Sequence, residues 1–204
     1  MDAKLARLRQ VIEQLSPISD DAWQEMAGLF TPLSLNAEQY FVNAGQQASS
    51  IAFVISGAMR EYFITLEGKE YNKAFIFKGD VTGSLFDLIS QQPSIASIQA
   101  TTQTELLVAD YQAFSELYDR FPCCQRLGRL QAQHLFMLKA RREYEFLTLD
   151  AYARYQSLLT GHPDIELYVP QYHIASYLGI TPVALSRIKK QHTLSHNNTD
   201  TPPI

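Results

Sequence analysis

The chain has 204 residues, a formal net charge of −4, 46% hydrophobic residues and 19% charged residues. That is the make-up of an ordinary soluble globular protein, long enough for one large domain or two small ones. No apolar run approaches the ~20 residues of a membrane span. The charged stretch 1–10 leads into no apolar segment, so no secretory signal is expected. The two cysteines, Cys123 and Cys124, are adjacent and offer neither a disulfide framework nor a metal ligand set. The expectation is a cytoplasmic protein without metal or cofactor.

Charge is unevenly spread. Residues 1–120 carry 8 Lys and Arg against 15 Asp and Glu, whereas residues 121–204 carry 9 against 6. An acidic front and a basic rear suggest separate modules, of which only the second suits a phosphate backbone.

In chain order, Leu5, Leu8, Ile12 and Leu15 recur at helical spacing until Ser16 and Pro17 break the run. Ser19 or Asp20 then caps a second helix through Trp23, Met26 and Phe30. From Leu33 to Asp110 the texture is short apolar or alternating runs at Gln39–Val42, Ile51–Ile55, Met59–Thr65, Tyr71–Phe77 and Thr104–Val108. Glycines 45, 57, 68, 79 and 83 punctuate them, as in a β-sandwich, barrel or jelly roll. Asp87–Ser90 reads as one helical turn. Helical periodicity returns at Tyr111–Tyr118 and runs through Arg126–Leu149. There Leu127, Leu130, His134 and Met137 follow the 3-4-3 spacing of a coiled-coil seam, although packing on the chain's own domain gives the same pattern.

The tail begins with a helix at Tyr152–Leu159 and a short strand at Glu166–Val169. Its informative segment is QYHIASYLGITPVALSRIKK, Gln171–Lys190. Ile174, Ala175 and Leu178 form an apolar stripe, and Gly179 suits a helix C-terminus in the left-handed conformation. Thr181 is a good N-cap and Pro182 is favoured in a first helical turn. Leu185 and Ile188 form the buried face of the second helix, leaving Val183, Ser186, Arg187 and Lys190 on the opposite face. A helix-turn-helix with a small, basic second helix fits a DNA major groove. The candidate DNA-contacting residues are Gln171, Tyr172, Thr181, Val183, Ala184, Ser186, Arg187, Lys189 and Lys190. Residues 191–204 are polar and expected to be disordered.

With these segments in view, the chain resembles the cyclic-AMP receptor protein (Crp/Fnr) family of bacterial transcription regulators. The matching pieces are FVISGAMREY (Phe53–Tyr62), FKGDVTGSL (Phe77–Leu85), IASIQA (Ile95–Ala100), the helix Arg126–Leu149 and Ile174–Lys190. The resemblance implies an α+β architecture in three parts. Residues 1–120 would be a β-jelly-roll effector domain, 121–149 a linking and dimerisation helix, and 150–204 a winged helix-turn-helix. It also implies a homodimer on double-stranded DNA, paired through Leu127, Leu130, His134 and Met137.

Two positions depart from the family's cyclic-nucleotide cassette, in which a glutamate grips the ribose and an arginine neutralises the phosphate. The chain has Ser84 in Gly83-Ser84-Leu85 and Ser94 in Ser94-Ile95-Ala96. A phosphate buried there would lack its charge partner, so cyclic AMP is expected to bind weakly or not at all. Arg60, Gly83, Ser84, Leu85, Ser94, Ile95, Ala96 and Ser97 are candidates for a pocket with another small-molecule effector, or for one filled by side chains. Arg60, Lys69 and Lys73 could replace the missing cation, although solvated surface charge is the commoner role. The segment from Leu33 to Phe121 holds no His or Cys, which argues against haem, iron–sulphur and cupin chemistry. His162 and His173 read as surface histidines. Just after the cap, Pro182 and Val183 stand where cyclic-AMP receptors carry Arg and Glu, so a different operator is expected, read mainly by Arg187. The alternative is a sensor-like module that acts through protein partners, or one that does bind a cyclic nucleotide. An enzyme has no residue support.

Overall fold

The computed structural model describes residues 1–197. Two helices open the chain, α1 (Asp2–Leu15) and α2 (Asp20–Gly28), the second capped by Ser19, whose Oγ accepts from the Ala22 amide at 3.4 Å. Eight strands and one short helix follow: β1 (Thr31–Leu35), β2 (Tyr40–Val42), β3 (Ser50–Ser56), β4 (Ala58–Ile64), β5 (Glu70–Phe77), β6 (Val81–Thr82), α3 (Leu85–Ser90), β7 (Ser97–Ala100) and β8 (Thr104–Asp110). They form two antiparallel four-stranded sheets, ordered β1-β8-β3-β6 and β2-β7-β4-β5. The expected jelly roll is therefore present, with β1, β6 and β7 added to the five strands legible as apolar runs.

The main core lies between the sheets and under the flanking helices. Val54, Met59, Ile98, Leu106 and Leu107 are fully buried there, joined by Leu8 and Met26 from the N-terminal helices. Each such side chain contributes about 1.5–3 kcal/mol by leaving water. The cap Asp110 starts α4 (Tyr111–Arg120), and Pro122 at the first turn starts the long α5 (Pro122–Thr148).

The C-terminal module comprises α6 (Ala151–Gly161), α7 (Ile165–Tyr168), α8 (Gln171–Leu178) and α9 (Pro182–Asn197). Its own core is Tyr155, Leu158, Ile165, Val169, Ile174, Ala175, Leu178 and Leu185. The expected strand at Glu166–Val169 is instead the helical turn α7. Its side chains alternate in a way that suits either structure, and Ile165 and Val169, four apart, turn inward together as a helix requires. No strand follows β8 among the described residues, so the wing anticipated around the helix-turn-helix has no strand there. Residues 191–197 extend α9 instead of forming a disordered tail, and 198–204 lie outside the described residues.

Candidate functional site

The α8–α9 turn forms as its residues dictate. Gly179 has φ +72° and lies against the Phe146 ring of α5, so the turn needs both a left-handed residue and one without a side chain. The Ile180 amide reaches back to the Ala175 carbonyl at 3.0 Å, and Thr181 Oγ1 caps α9 by accepting from the Ala184 amide at 3.2 Å. Arg154 holds the end of α8 from outside, donating to the Leu178 carbonyl at 3.1 Å.

With Leu185 fully buried, the opposite face of α9 points to solvent: Val183, Ser186, Arg187 and Lys190 are all exposed. Gln171, Tyr172 and Thr181 are exposed beside it, and Ala184 is half-buried. Lys189 is turned aside, paired with Glu166 at 2.6 Å. Val183, Ser186, Arg187 and Lys190 thus share one accessible face of α9.

The effector candidates do not converge in the same way. Ser84, Ser94, Ala96 and Ser97 are buried, whereas Ile95 is 58% exposed. The Ser94 hydroxyl donates to Asp87 Oδ2 at 2.6 Å and lies 3.4 Å from the Ala96 amide. Ser97 Oγ accepts from the Ala44 amide at 3.1 Å. Gly83 packs on the backbone of Ser50 and Ile51. Asp87 is fully buried and its Oδ1 has no hydrogen-bond partner among the described residues. The Ser94 hydroxyl is thus bonded inward, between Asp87 and the Ala96 carbonyl, and does not face a ligand in the loop. Sequence reasoning took Asp87 only for part of a helical turn; its neighbours at helical spacing, Gly83, Ser84, Ser90 and Gln91, are small or polar and gave no sign of burial.

Arg60 departs most from expectation. It is neither a surface charge nor a substitute for the cassette arginine. β4 alternates, and Met59 faces the core while Arg60 faces the outer side of its sheet, where α8 covers it to 4% exposure. Its Nε and Nη2 donate to Gln99 Oε1 at 2.9 and 2.6 Å, and Nη1 pairs with Glu70. Nη1 also faces His173 Nδ1 at 3.1 Å, and the guanidinium lies 3.8 Å over the Tyr62 ring. His173 is therefore buried instead of superficial. Burial first, and the Arg60 charge second, push its pKa down to about 4 against an opposing pull from Glu70. It is neutral at pH 7, with Nδ1 as acceptor. Lys73 pairs with Glu61 on the opposite side of the same sheet.

On α5, Leu127 is buried in the core of its own chain at 8% exposure, where α5 lies against α4 and α1, so its side chain is already covered within the chain. Leu130 is half-buried and His134 exposed. Met137 is 64% exposed, next to Phe136 at 68%. Arg129, Ala132, Gln133, Phe136 and Met137 line an open groove of about 620 Å³.

Residues 32–121 match the cyclic nucleotide-binding domain family. Over 200 residues the chain is 26% identical to the fumarate and nitrate reduction regulatory protein of Vibrio cholerae, covering 92% of this chain and 72% of that protein. Residues 32–121 thus carry a cyclic nucleotide-binding domain, and the chain is similar to this regulator along most of its length. The fold agrees. FixK2 from Bradyrhizobium japonicum superposes with a TM-score of 0.69 at 22% identity, covering 81% of this chain and 86% of that one. A Crp/Fnr-family regulator of Eubacterium rectale gives 0.66 at 17% identity, covering 87% and 85%. At the two positions where the resemblance puts the cassette's charged residues the chain has Ser84 and Ser94, and Ser94 is bonded to the buried Asp87. No helix among the described residues is long and apolar enough to cross a membrane.

Proposed function

We propose that this protein is a dimeric transcription regulator of the Crp/Fnr type, and not an enzyme, acting in the cytoplasm on a pseudo-palindromic duplex. The observation that carries the reading is the exposed Val183, Ser186, Arg187 and Lys190 face on a capped helix whose other face is fully buried. Arg187 reads a base or phosphate, Ser186 and Val183 approach base edges, and Lys190 meets the backbone. Gln171, Tyr172 and Thr181 lie at the duplex backbone, where helix starts position a protein. Affinity from such contacts falls steeply with salt.

Dimerisation uses the Phe136–Met137 groove of α5, with Leu130 and His134 at its margin. Two such large apolar side chains exposed side by side mark an interaction surface. Two-fold symmetry then spaces half-sites by about one helical turn, ~34 Å. The β-roll does not respond to cyclic AMP; its effector, where it has one, is a molecule without a phosphate held at Ser94.

The test is selection of bound duplexes from a random library by the full-length protein, followed by salt titration of the best sequence. Recovery of an inverted repeat with a steep salt slope is the expected result. Recovery of no duplex overturns the reading in favour of a module working through protein partners.

A further inference from the structure

Asn72 is the hub of a buried polar contact between the β-roll and the C-terminal module. It lies on β5, an edge strand, where unpaired amides and carbonyls are normally left to solvent. Here α8 supplies the missing neighbour. Ser176 Oγ accepts from the Asn72 amide and donates to the Glu70 carbonyl, each at 3.0 Å. The Asn72 side chain donates to the His173 carbonyl at 3.2 Å, and its Oδ1 accepts from Arg60 at 3.4 Å. From α5, Arg142 Nη2 bridges the Asn72 and Tyr177 carbonyls at 3.3 and 3.0 Å. Phe75 against Tyr177 and Phe77 against His162 and Tyr168 flank this polar centre.

An interface with a charge at its centre gains little net energy, because burying the guanidinium cancels most of what its partners return. It does fix one orientation, since only in this one do Ser176 and His173 meet the Asn72 amide and the Arg60 guanidinium together. Specific geometry at low opening cost is what a two-position element requires. Gln99 adds a link inward: it holds Arg60 and sits on β7, the strand that leaves the Ser94 loop. The DNA-facing side of α9 stays exposed while the module is docked.

We propose that the Arg60–Asn72–His173–Ser176 contact is a reversible latch that holds the C-terminal module in the orientation competent for DNA. The coupling to DNA rests on the proposed function above; the latch itself does not. Opening it leaves a smaller competent fraction and weakens binding in proportion.

The test compares the full-length wild type with His173→Lys, which sets a second cation against Arg60, and with His173→Gln, which keeps a neutral acceptor. Hydrogen exchange reads the latch through the Asn72 amide, and titration with the selected duplex reads the coupling. His173→Lys is expected to speed exchange of the Asn72 amide about tenfold, the factor by which the open fraction would rise. The α8 amides should stay protected and duplex affinity should fall about tenfold, while His173→Gln matches wild type. Where His173→Lys unfolds α8, Ser176→Arg, outside the module's core, replaces it with the same expectations. Unchanged exchange at the Asn72 amide overturns the latch. Faster exchange with equal or tighter duplex binding overturns the coupling. A wild type that selects no duplex overturns the proposed function and the coupling together, and exchange still decides the latch.

Discussion

Nη1 of Arg60 lies 3.1 Å from Nδ1 of His173, 113 residues away in the chain. The imidazole can accept that bond only while neutral. Its surroundings are cationic at Arg60, anionic at Glu70 and polar at Asn72, with the Tyr172 ring beside it at 4.1 Å.

Docking should therefore depend on pH with a definite sign. The pKa of His173 is about 4 when docked and 6.5 when freely solvated, so protons favour the undocked state. The contact is fully stable above about pH 6.5 and weakens as pH falls toward 4. An NMR titration of the His173 ring should show a midpoint near 4 in wild type and near 6.5 in Ser176→Arg. A wild-type midpoint near the ordinary value would contradict the buried arrangement.

Replacing Arg187 by alanine should cost ~1–3 kcal/mol in affinity for the selected duplex and relax sequence preference at the contacted position. Lys190→Ala should weaken all duplexes alike and lower the salt slope by about one unit. Fluorescence anisotropy at several salt concentrations separates the two. An Arg187→Ala protein that binds its best duplex as tightly as wild type would remove Arg187 from the interface.

Calorimetric titration with cyclic AMP should give no heat at millimolar ligand, because the Ser94 hydroxyl is committed to Asp87 and no cation stands at the loop. Ser94→Ala should destabilise the fold by about 1–3 kcal/mol, the penalty for stripping the buried Asp87 of its hydrogen-bond donor. Urea unfolding measures this. Micromolar cyclic AMP binding would mean that the loop rearranges around Asp87.

Phe136→Glu combined with Met137→Glu should shift the protein toward monomer in sedimentation while leaving its melting temperature nearly unchanged, since both side chains are exposed in the single chain. Leu127→Ala should do the reverse, costing about 2–5 kcal/mol of stability through a core cavity with no direct loss of the dimer surface. A dimer that survives the double substitution places the interface elsewhere.

The local rules that act within a few residues were readable from the sequence. Gly179, Thr181 and Pro182 specify the α8–α9 turn because left-handed backbone, hydroxyl capping and a fixed φ are properties of single residues. Short apolar or alternating runs placed β2, β3, β4, β5 and β8, whereas β6, two residues long, is too short to show a period. Glu166–Val169 failed because four residues fit a strand or a helical turn equally well. Leu127, buried in its own chain, is ambiguous in the sequence for a related reason: helical spacing says that a face is buried, not whether its partner is the same chain or another.

By itself the sequence determined the acidic front and basic rear, the apolar runs of the sheet and the turn between α8 and α9, all matters of residue type and short spacing. Only the tertiary structure decided that Arg60 meets His173, that Ser176 completes the β5 edge and that Asp87 is sealed behind Ser94. The Arg60 and Ser176 contacts join residues about a hundred positions apart, and Asp87 is sealed by the surrounding fold. Which charge is buried against which partner follows from how separate elements pack, and pattern along the chain does not carry that.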